Sequence, residues 1–363
     1  MIDAKKELLK KRPRFELNEK TGLSTGNTML NLACSDTPYW GLIAGGFYFL
    51  WGDSQSGKTF LTMTCFAEAQ IAPHFSKYEI HFINAEGGAM MDIHKFFGPK
   101  VASKLQWHDN VETIEDFYRL LWDLLVKAKK KCLIVCDSQD ALIASAALRK
   151  FAKQKKAAEE GQDAAGSMGM DKAKYHSENI RWVLAALRRT GSILWMIGQS
   201  RENPNAFGYG DKKTKGGGKS IDFYANIVMQ STVGIPIKKI VRGKPRVVGS
   251  NCIVTVRKNR VTGKVGKERS AVIPIYYSYG IDDIGATVDF LIAENVLKES
   301  GLDEKKRKCY KVPDIEGFSG TRGQIISLIE EQNAYELFQD MAAKVWAEIE
   351  HECELVNRRK RYE

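Results

Sequence analysis

An α/β fold with a central, mostly parallel twisted sheet is what this sequence predicts, on three observations. From Gly45 onward, apolar runs of strand length alternate with helix-length stretches, the pattern of a parallel sheet covered by helices. One such run leads into a glycine-bearing turn and then a helix, as nucleotide-binding α/β folds require. The 363 residues, 44% hydrophobic, suffice for one large core domain and one small one.

Strands are expected at 47–51, 80–84, 132–137 and 193–198, with helices after the first three and before the last. Further strands at 225–230, 253–256 and 271–276 have no long helices between them, so the sheet should end in an antiparallel or mixed half. Two polar, glycine-bearing stretches, 149–170 and 200–218, interrupt the pattern, and loops of that length are usually functional. Beyond residue 287 amphipathic helices return at 287–298, 322–332 and 334–356, predicting a separate small α-rich domain. Residues 1–22 read as a basic amphipathic segment broken at Pro13, too short to fold alone.

Charge narrows the partner class. Lys and Arg number 55 against 44 Asp and Glu, a net charge of +11, and such an excess favours a polyanion. The excess lies before Thr287, with 43 basic and 28 acidic residues against 12 and 16 from there on. Seven cysteines, odd in number and without a CxxC pair, suggest neither a disulfide framework nor a zinc site. The N-terminus lacks an apolar signal region and no run approaches the roughly 18 apolar residues of a membrane span. A soluble cytoplasmic protein with no membrane partner is expected.

The most specific motif is Gly52-Asp53-Ser54-Gln55-Ser56-Gly57-Lys58-Thr59, followed by Phe60, which fits GxxxxGK[ST] between a strand and a helix. Its glycines let backbone N–H groups turn inward around phosphates, and the helix start adds its dipole. Lys58 would neutralise the outer phosphates and the Thr59 hydroxyl would ligate Mg²⁺. Asp137, closing an apolar strand, is placed to orient the same ion. Glu86 follows another strand at the carboxyl edge of the sheet, where open α/β sheets bind ligands, and could take a proton from the attacking water as general base. Gln199 ends a third strand directly before the glycine-rich loop, within reach of a γ-phosphate. Lys212, Lys213 and Lys215 among glycines supply cations on a mobile backbone, suited to tracking a nucleic-acid strand.

Taken together these residues resemble the RecA recombinase family, over about residues 22–332. Ser24-Thr25-Gly26 resembles the family's segment ahead of the phosphate loop, and Asn84-Ala85-Glu86 its (D/N)AE motif with the catalytic glutamate. Ile134 to Ser138 resembles the second nucleotide motif, and Ile197 to Arg201 the segment whose glutamine senses the γ-phosphate. Gly217 to Ala225 resembles the GGxxxxFYA that closes the second DNA loop, and Val256 to Arg260 the VKNK segment.

The resemblance implies a three-part chain: residues 1–22 for oligomerisation, 23–286 as the ATPase core, and 287–363 as the small C-terminal domain. It implies ATP with Mg²⁺, single- and double-stranded DNA as partners, and a homo-oligomeric helical filament. DNA loops would fall at about 160–171 and 200–218, with Lys174, Arg181, Arg201 and Phe207 on DNA-contacting positions. Lys258 and Arg260 would cross to the neighbouring protomer's ATP phosphates. Three departures stand out. The family's adenine-stacking aromatic position falls on Ile93, with His94 next. A basic run, 149–156, precedes the first loop, and the chain ends in Arg358-Arg359-Lys360-Arg361 where familiar members carry acidic residues. A hexameric helicase of the same core, or an ATP-switched recombination mediator, are the competing functions.

Overall fold

The structure is a computed structural model that describes residues 20–151, 170–202, 213–216, 218–313, 315 and 317–355. A short ribbon, β1 (Gly22–Leu23) with β2 (Leu42–Ile43), flanks helix α1 (Thr28–Ser35). The core then runs β3 (Phe47–Gly52), α2 (Lys58–Ile71), β4 (Glu79–Asn84), α3 (Ile93–Lys104), β5 (Gln106–His108), α4 (Ile114–Trp122) and β6 (Cys132–Asp137). After these come α5 (Met170–Thr190), β7 (Ile193–Glu202), β8 (Lys213–Lys215), α6 (Gly218–Tyr224), β9 (Ile227–Val241), β10 (Lys244–Asn259), β11 (Ser270–Tyr276) and β12 (Gly280–Ile281). The C-terminal elements are α7 (Asp283–Ala293), β13 (Lys298–Leu302), β14 (Lys308–Lys311), β15 (Ser319–Thr321), α8 (Arg322–Glu331) and α9 (Tyr335–Glu352).

The main sheet has the order β12-β11-β10-β9-β3-β7-β6-β4-β5. Every pair from β9 to β5 is parallel, and β9 through β12 pair antiparallel. Successive side chains of a strand point to opposite faces, and the core divides accordingly. Tyr48, Leu50, Phe82 and Trp195 enter one apolar cluster, while Phe47, Phe49, Ile134 and Met196 enter the other. Each of these side chains is fully buried, a change that stabilises by about 1.5–3 kcal/mol for a large apolar group. Burial on both faces is why these strands read as apolar runs.

Three expectations change. The strand expected to stop at 198 runs on to Glu202 because Ser200, Arg201 and Glu202 pair with Lys215, Thr214 and Lys213 of β8, so the two flanks of the 200–218 stretch form a ladder. β9 and β10 far outrun 225–230 and 253–256, since an antiparallel hairpin satisfies its own backbone regardless of side-chain polarity. Arg242 and Gly243 at its tip have φ of 52° and 71°, the two positive values that a two-residue hairpin turn of matching twist requires.

The expected boundary at 287 falls inside α7. Val288, Leu291, Ile325, Phe338 and Trp346 belong to the same apolar cluster as Leu30 and Leu32 of α1. Polar groups fasten the same contact. Half-buried Asp283 accepts from Thr28 N and Thr28 Oγ1, both at 2.7 Å, from Asn27 Nδ2 at 2.9 Å, and from the Tyr335 hydroxyl. Buried Arg269 pairs with Asp36 and with Glu350 of α9. No helix of the described residues is long and apolar enough to cross a membrane.

Candidate active site and nucleic-acid interface

The carboxyl ends of β3, β4, β6 and β7 converge on one pocket. Between β3 and α2 the chain wraps as a phosphate-type loop. Gly57, the N-cap of α2, has φ 78°, and a Cβ there would lie 2.6 Å from Ile275 Cδ1, so only glycine fits. A Cβ on Gly52 would come within 2.0 Å of the Ser231 carbonyl. Asn27, Asp92, Thr113, Asp282 and Thr321 cap α1, α3, α4, α7 and α8 with side-chain acceptors. No side chain caps α2, which leaves its first N–H groups for an anion.

Lys58 Nζ reaches back to the Gly52 and Asp53 carbonyls at 3.1 and 2.5 Å. Burial pushes its pKa down, opposed by Asp137, Glu86 and Asp53. The Thr59 hydroxyl donates to Asp137 Oδ2. Asp137 is raised to about 6, chiefly by burial, then by Glu86, with Thr59 and Lys58 pulling the other way. A hydroxyl and a carboxylate in contact at the foot of this loop are hard oxygen donors and fit Mg²⁺, which takes few protein ligands beside phosphate. Ser56 hydrogen-bonds Ser231 at 2.6 Å, locking the loop to β9, whereas Ser54 and Gln55 sit at its exposed crest, with Gln55 at φ 60°.

Glu86 lies beside this group. Its Oε1 accepts from Ser138 Oγ and from Gln199 Nε2 at 2.8 Å, which leaves Oε2 without a partner among the described residues. Gln199 N is itself held by Asp140 Oδ2 at 2.8 Å. Phe60 turns away from the loop to meet Phe96 and Phe97, ring centroids 5.3 and 5.0 Å apart. Together with Thr64, Tyr279 and Ile281 it lines a cavity of about 420 Å³. Ile93 packs against the main core instead, and His94 is exposed.

Most of the described cations of the expected DNA surface are engaged by the protein's own acids. Arg201 pairs with Asp140 at 3.1 Å, Lys213 with Asp53 at 2.7 Å, and Lys215 with Asp222 while standing 5.2 Å over the Trp51 ring. Lys174 is mostly exposed and 3.9 Å from Glu178, and Arg181 Nε donates to the Tyr224 hydroxyl at 3.1 Å. Phe207, Lys212, the first loop up to residue 169, and the terminal basic run lie outside the described residues, as does nearly all of the 1–22 segment.

Lys258 and Arg260 close the carboxyl end of α6 in the same chain. Lys258 Nζ donates to the carbonyls of Asp222, Phe223 and Ala225, the last two at 2.8 and 3.0 Å. Arg260 donates to Phe223 O at 2.6 Å. Burial, then repulsion from Arg260, brings Lys258 down to about 8.

Four residues to which the motifs gave no individual role belong here: Ser138, Asp140, Ser200 and Asp222. Ser138 and Asp140 could have been noticed as polar residues directly after a strand-end acid. Ser200, which donates to Asp53 at 2.7 Å, lies within the Ile197 to Arg201 segment, but its role was not readable there because its partner is distant along the chain.

A family model of the RecA N-terminal domain matches residues 8–282. Protein RecA of Chlorobium limicola is 29% identical over 289 residues, covering 77% of this chain and 71% of that protein. Protein RecA of Leifsonia xyli subsp. xyli is 29% identical over 279 residues, covering 76% and 69%. With Chlorobaculum tepidum the identity is 28% over 287 residues, 77% and 72% of the two chains. The match runs through every strand that builds the pocket, and the chain therefore belongs to the RecA family, the recombination proteins that bind DNA as homo-oligomeric filaments and hydrolyse ATP with Mg²⁺ in a DNA-dependent way.

Proposed function

We propose that this chain, as a filament on single-stranded DNA, pairs it with a duplex and exchanges strands, and that Gln199 carries the state of the nucleotide into the DNA loop. The observation that carries this reading is positional. Gln199 hydrogen-bonds Glu86 on one side, and the next three residues form the ladder with β8 from which the second loop springs. A shift of one side chain at the γ-phosphate is thereby transmitted to the loop's base.

Within that reading, the inward N–H groups of residues 52–57 and the Lys58 ammonium hold the phosphates, and Thr59 with Asp137 holds Mg²⁺. The metal, when bound, neutralises phosphate charge. Glu86, steadied on Oε1 by Ser138 and Gln199, takes the proton of the attacking water on Oε2. The aromatic cavity beside Phe60 and Tyr279 receives the base, in the role for which Ile93 lacks a ring. Lys258 and Arg260 exchange their α6 carbonyls for a neighbour's phosphates on filament assembly, so that the γ-phosphate is shared between protomers. A cytoplasmic location is supported by cysteines that are all unpaired. Residues 1–22 serve filament contacts, and the C-terminal part, proposed from about residue 287 with its first helix α7 beginning at Asp283, is an α-rich cap docked on α1.

Electron microscopy with single-stranded DNA, with and without ATP, tests this. Open helical filaments that tighten with ATP are expected, and closed rings would instead favour the helicase reading. A strand-exchange assay separates a recombinase from a mediator, which would bind DNA and exchange nothing.

A further inference from the structure

The amino-terminal ends of β4 and β6, at the opposite end of the strands from the phosphate loop, gather three donors of metal-binding type. Glu79 and His81 are two apart on β4 and so share a face. Cys132 opens β6 directly opposite Glu79 in the parallel ladder, on that same face. Donor atoms of Glu79, His81 and Cys132 all lie within 4.8 Å of one another. His81 and Cys132 are fully buried, while Glu79 is about a third exposed at 32%, which gives an ion a way in.

Two buried atoms here have no hydrogen-bond partner among the described residues: His81 Nε2 and Glu79 Oε2. They face each other at 3.4 Å, long for a hydrogen bond. It is close to the spacing of roughly 3.3 Å between two ligands of a tetrahedral zinc ion bound at about 2.0–2.1 Å. The remaining atoms are already committed as such a site requires. His81 Nδ1 is 3.0 Å from His108 Nε2, the bond on the second ring nitrogen that fixes the tautomer and angle of a metal-binding imidazole. Lys130 holds Glu79 Oε1 at 2.7 Å, which keeps Oε2 turned toward His81.

We propose that Glu79 Oε2, His81 Nε2 and Cys132 Sγ form a site for a zinc-type divalent cation, with water in the fourth position. A thiolate and an imidazole select a borderline-soft ion over Mg²⁺ or Ca²⁺, so the site does not compete for the ion of the ATP pocket. Binding releases the thiol proton of Cys132 and ties β4 to β6 about 17 Å, five strand steps, from the ends that carry Glu86 and Asp137. The cysteine spacing gave no hint of it, because the ligands come from two strands that only the parallel ladder brings together.

Cobalt(II) titrated into the reduced full-length chain, free of nucleotide and Mg²⁺, tests the site. One equivalent should produce a thiolate-to-cobalt charge-transfer band that Zn²⁺ then abolishes, and Zn²⁺ should raise the melting temperature. Cys132→Ser should lose the band and Cys353→Ser should keep it. Glu79→Gln, at the partly exposed position, should weaken binding by about 10-fold or more, and it carries the decision if Cys132→Ser does not fold. Absence of the band in folded wild type overturns the proposal, as does a band that survives Cys132→Ser or an affinity unchanged by Glu79→Gln.

Discussion

The nucleotide cradle and the DNA-facing rim adjoin each other at Asp53 and yet are built in opposite ways. In the cradle, one stretch of backbone does the binding. A left-handed glycine at 57, a glycine at 52 pressed against the Ser231 carbonyl, and an uncapped helix start fix the N–H groups before any ligand arrives. On the rim, side chains from separate segments do it, and three of them begin paired: Arg201 with Asp140, Lys213 with Asp53, Lys215 with Asp222. If these cations hold DNA as proposed, its phosphates displace the carboxylates, and whatever moves Asp53 or Asp140 changes the charge available to DNA. On the proposed reading, preorganised backbone would give the cradle its affinity, and exchangeable ion pairs would make the rim responsive.

The sharpest break between the two regions should come from the cradle. Lys58→Ala is expected to abolish turnover, and Glu86→Gln to lower DNA-stimulated hydrolysis by about 10²–10⁴-fold, the usual yield of a general base. Single-stranded DNA binding with ATP should survive Glu86→Gln. Steady-state phosphate release checks both, and normal turnover in either variant removes the assignment.

Next in size is a pH effect on the cradle. Because the folded pKa of Asp137 is raised to about 6, the folded chain binds an extra proton between the ordinary carboxylate range and pH 6. Its contribution to stability is therefore favourable at low pH and lost as pH rises through that window, by an amount on the order of 3 kcal/mol. Melting of the Mg²⁺-free wild type against Asp137→Asn between pH 4 and 7 should show the wild type losing ground as pH rises. Mg²⁺ with ATP should bind more weakly below pH 6, where the carboxyl is protonated.

Gln199→Ala addresses the link between the regions. Hydrolysis should continue at a reduced rate while the ATP-dependent gain in DNA affinity disappears, a coupling usually worth about 5–150-fold. DNA affinity measured with and without a non-hydrolysable ATP analogue reads this directly. A variant that keeps the full gain would show that the signal travels elsewhere.

The rim itself should give the smallest change. Lys213→Ala is expected to reduce the salt slope of DNA binding by about one. Asp53→Asn frees Lys213 at once and should strengthen binding a few-fold, since exposed pairs hold about 0–1 kcal/mol. Filter binding across a salt series separates the two, and weaker DNA binding in Asp53→Asn would show that the pair positions the loop rather than restrains it.

Much of the cradle was legible because its parts are contiguous. Residues 52–60 supply the turn, the cation and the hydroxyl in one run, and Asp137 and Glu86 end strands whose apolar content marks them. Strand positions near 47, 80, 132 and 193 were readable for the same reason, since burial on both faces keeps each run mainly apolar, His81 being a fully buried polar member of the second. The hairpin of β9 and β10 was underestimated because its ends are exposed and its register is kept by backbone pairing alone. The boundary expected at 287 followed the return of the amphipathic pattern, whereas α7 begins at Asp283, whose carboxylate is spent on Thr28 and Tyr335, partners far away in the chain.

By itself, then, the sequence determined the sheet's parallel half, the phosphate loop and the acids that serve it, because each follows from a local pattern of burial, turn chemistry or strand ends. Only the tertiary structure decided which acid restrains which DNA-facing cation, that Lys258 and Arg260 rest on the end of α6, and that Glu79, His81 and Cys132 meet. Most of those pairings join residues tens of positions apart or more, as Arg201 with Asp140 and Lys213 with Asp53, and no periodicity or spacing along the chain encodes a distance that the folded sheet creates.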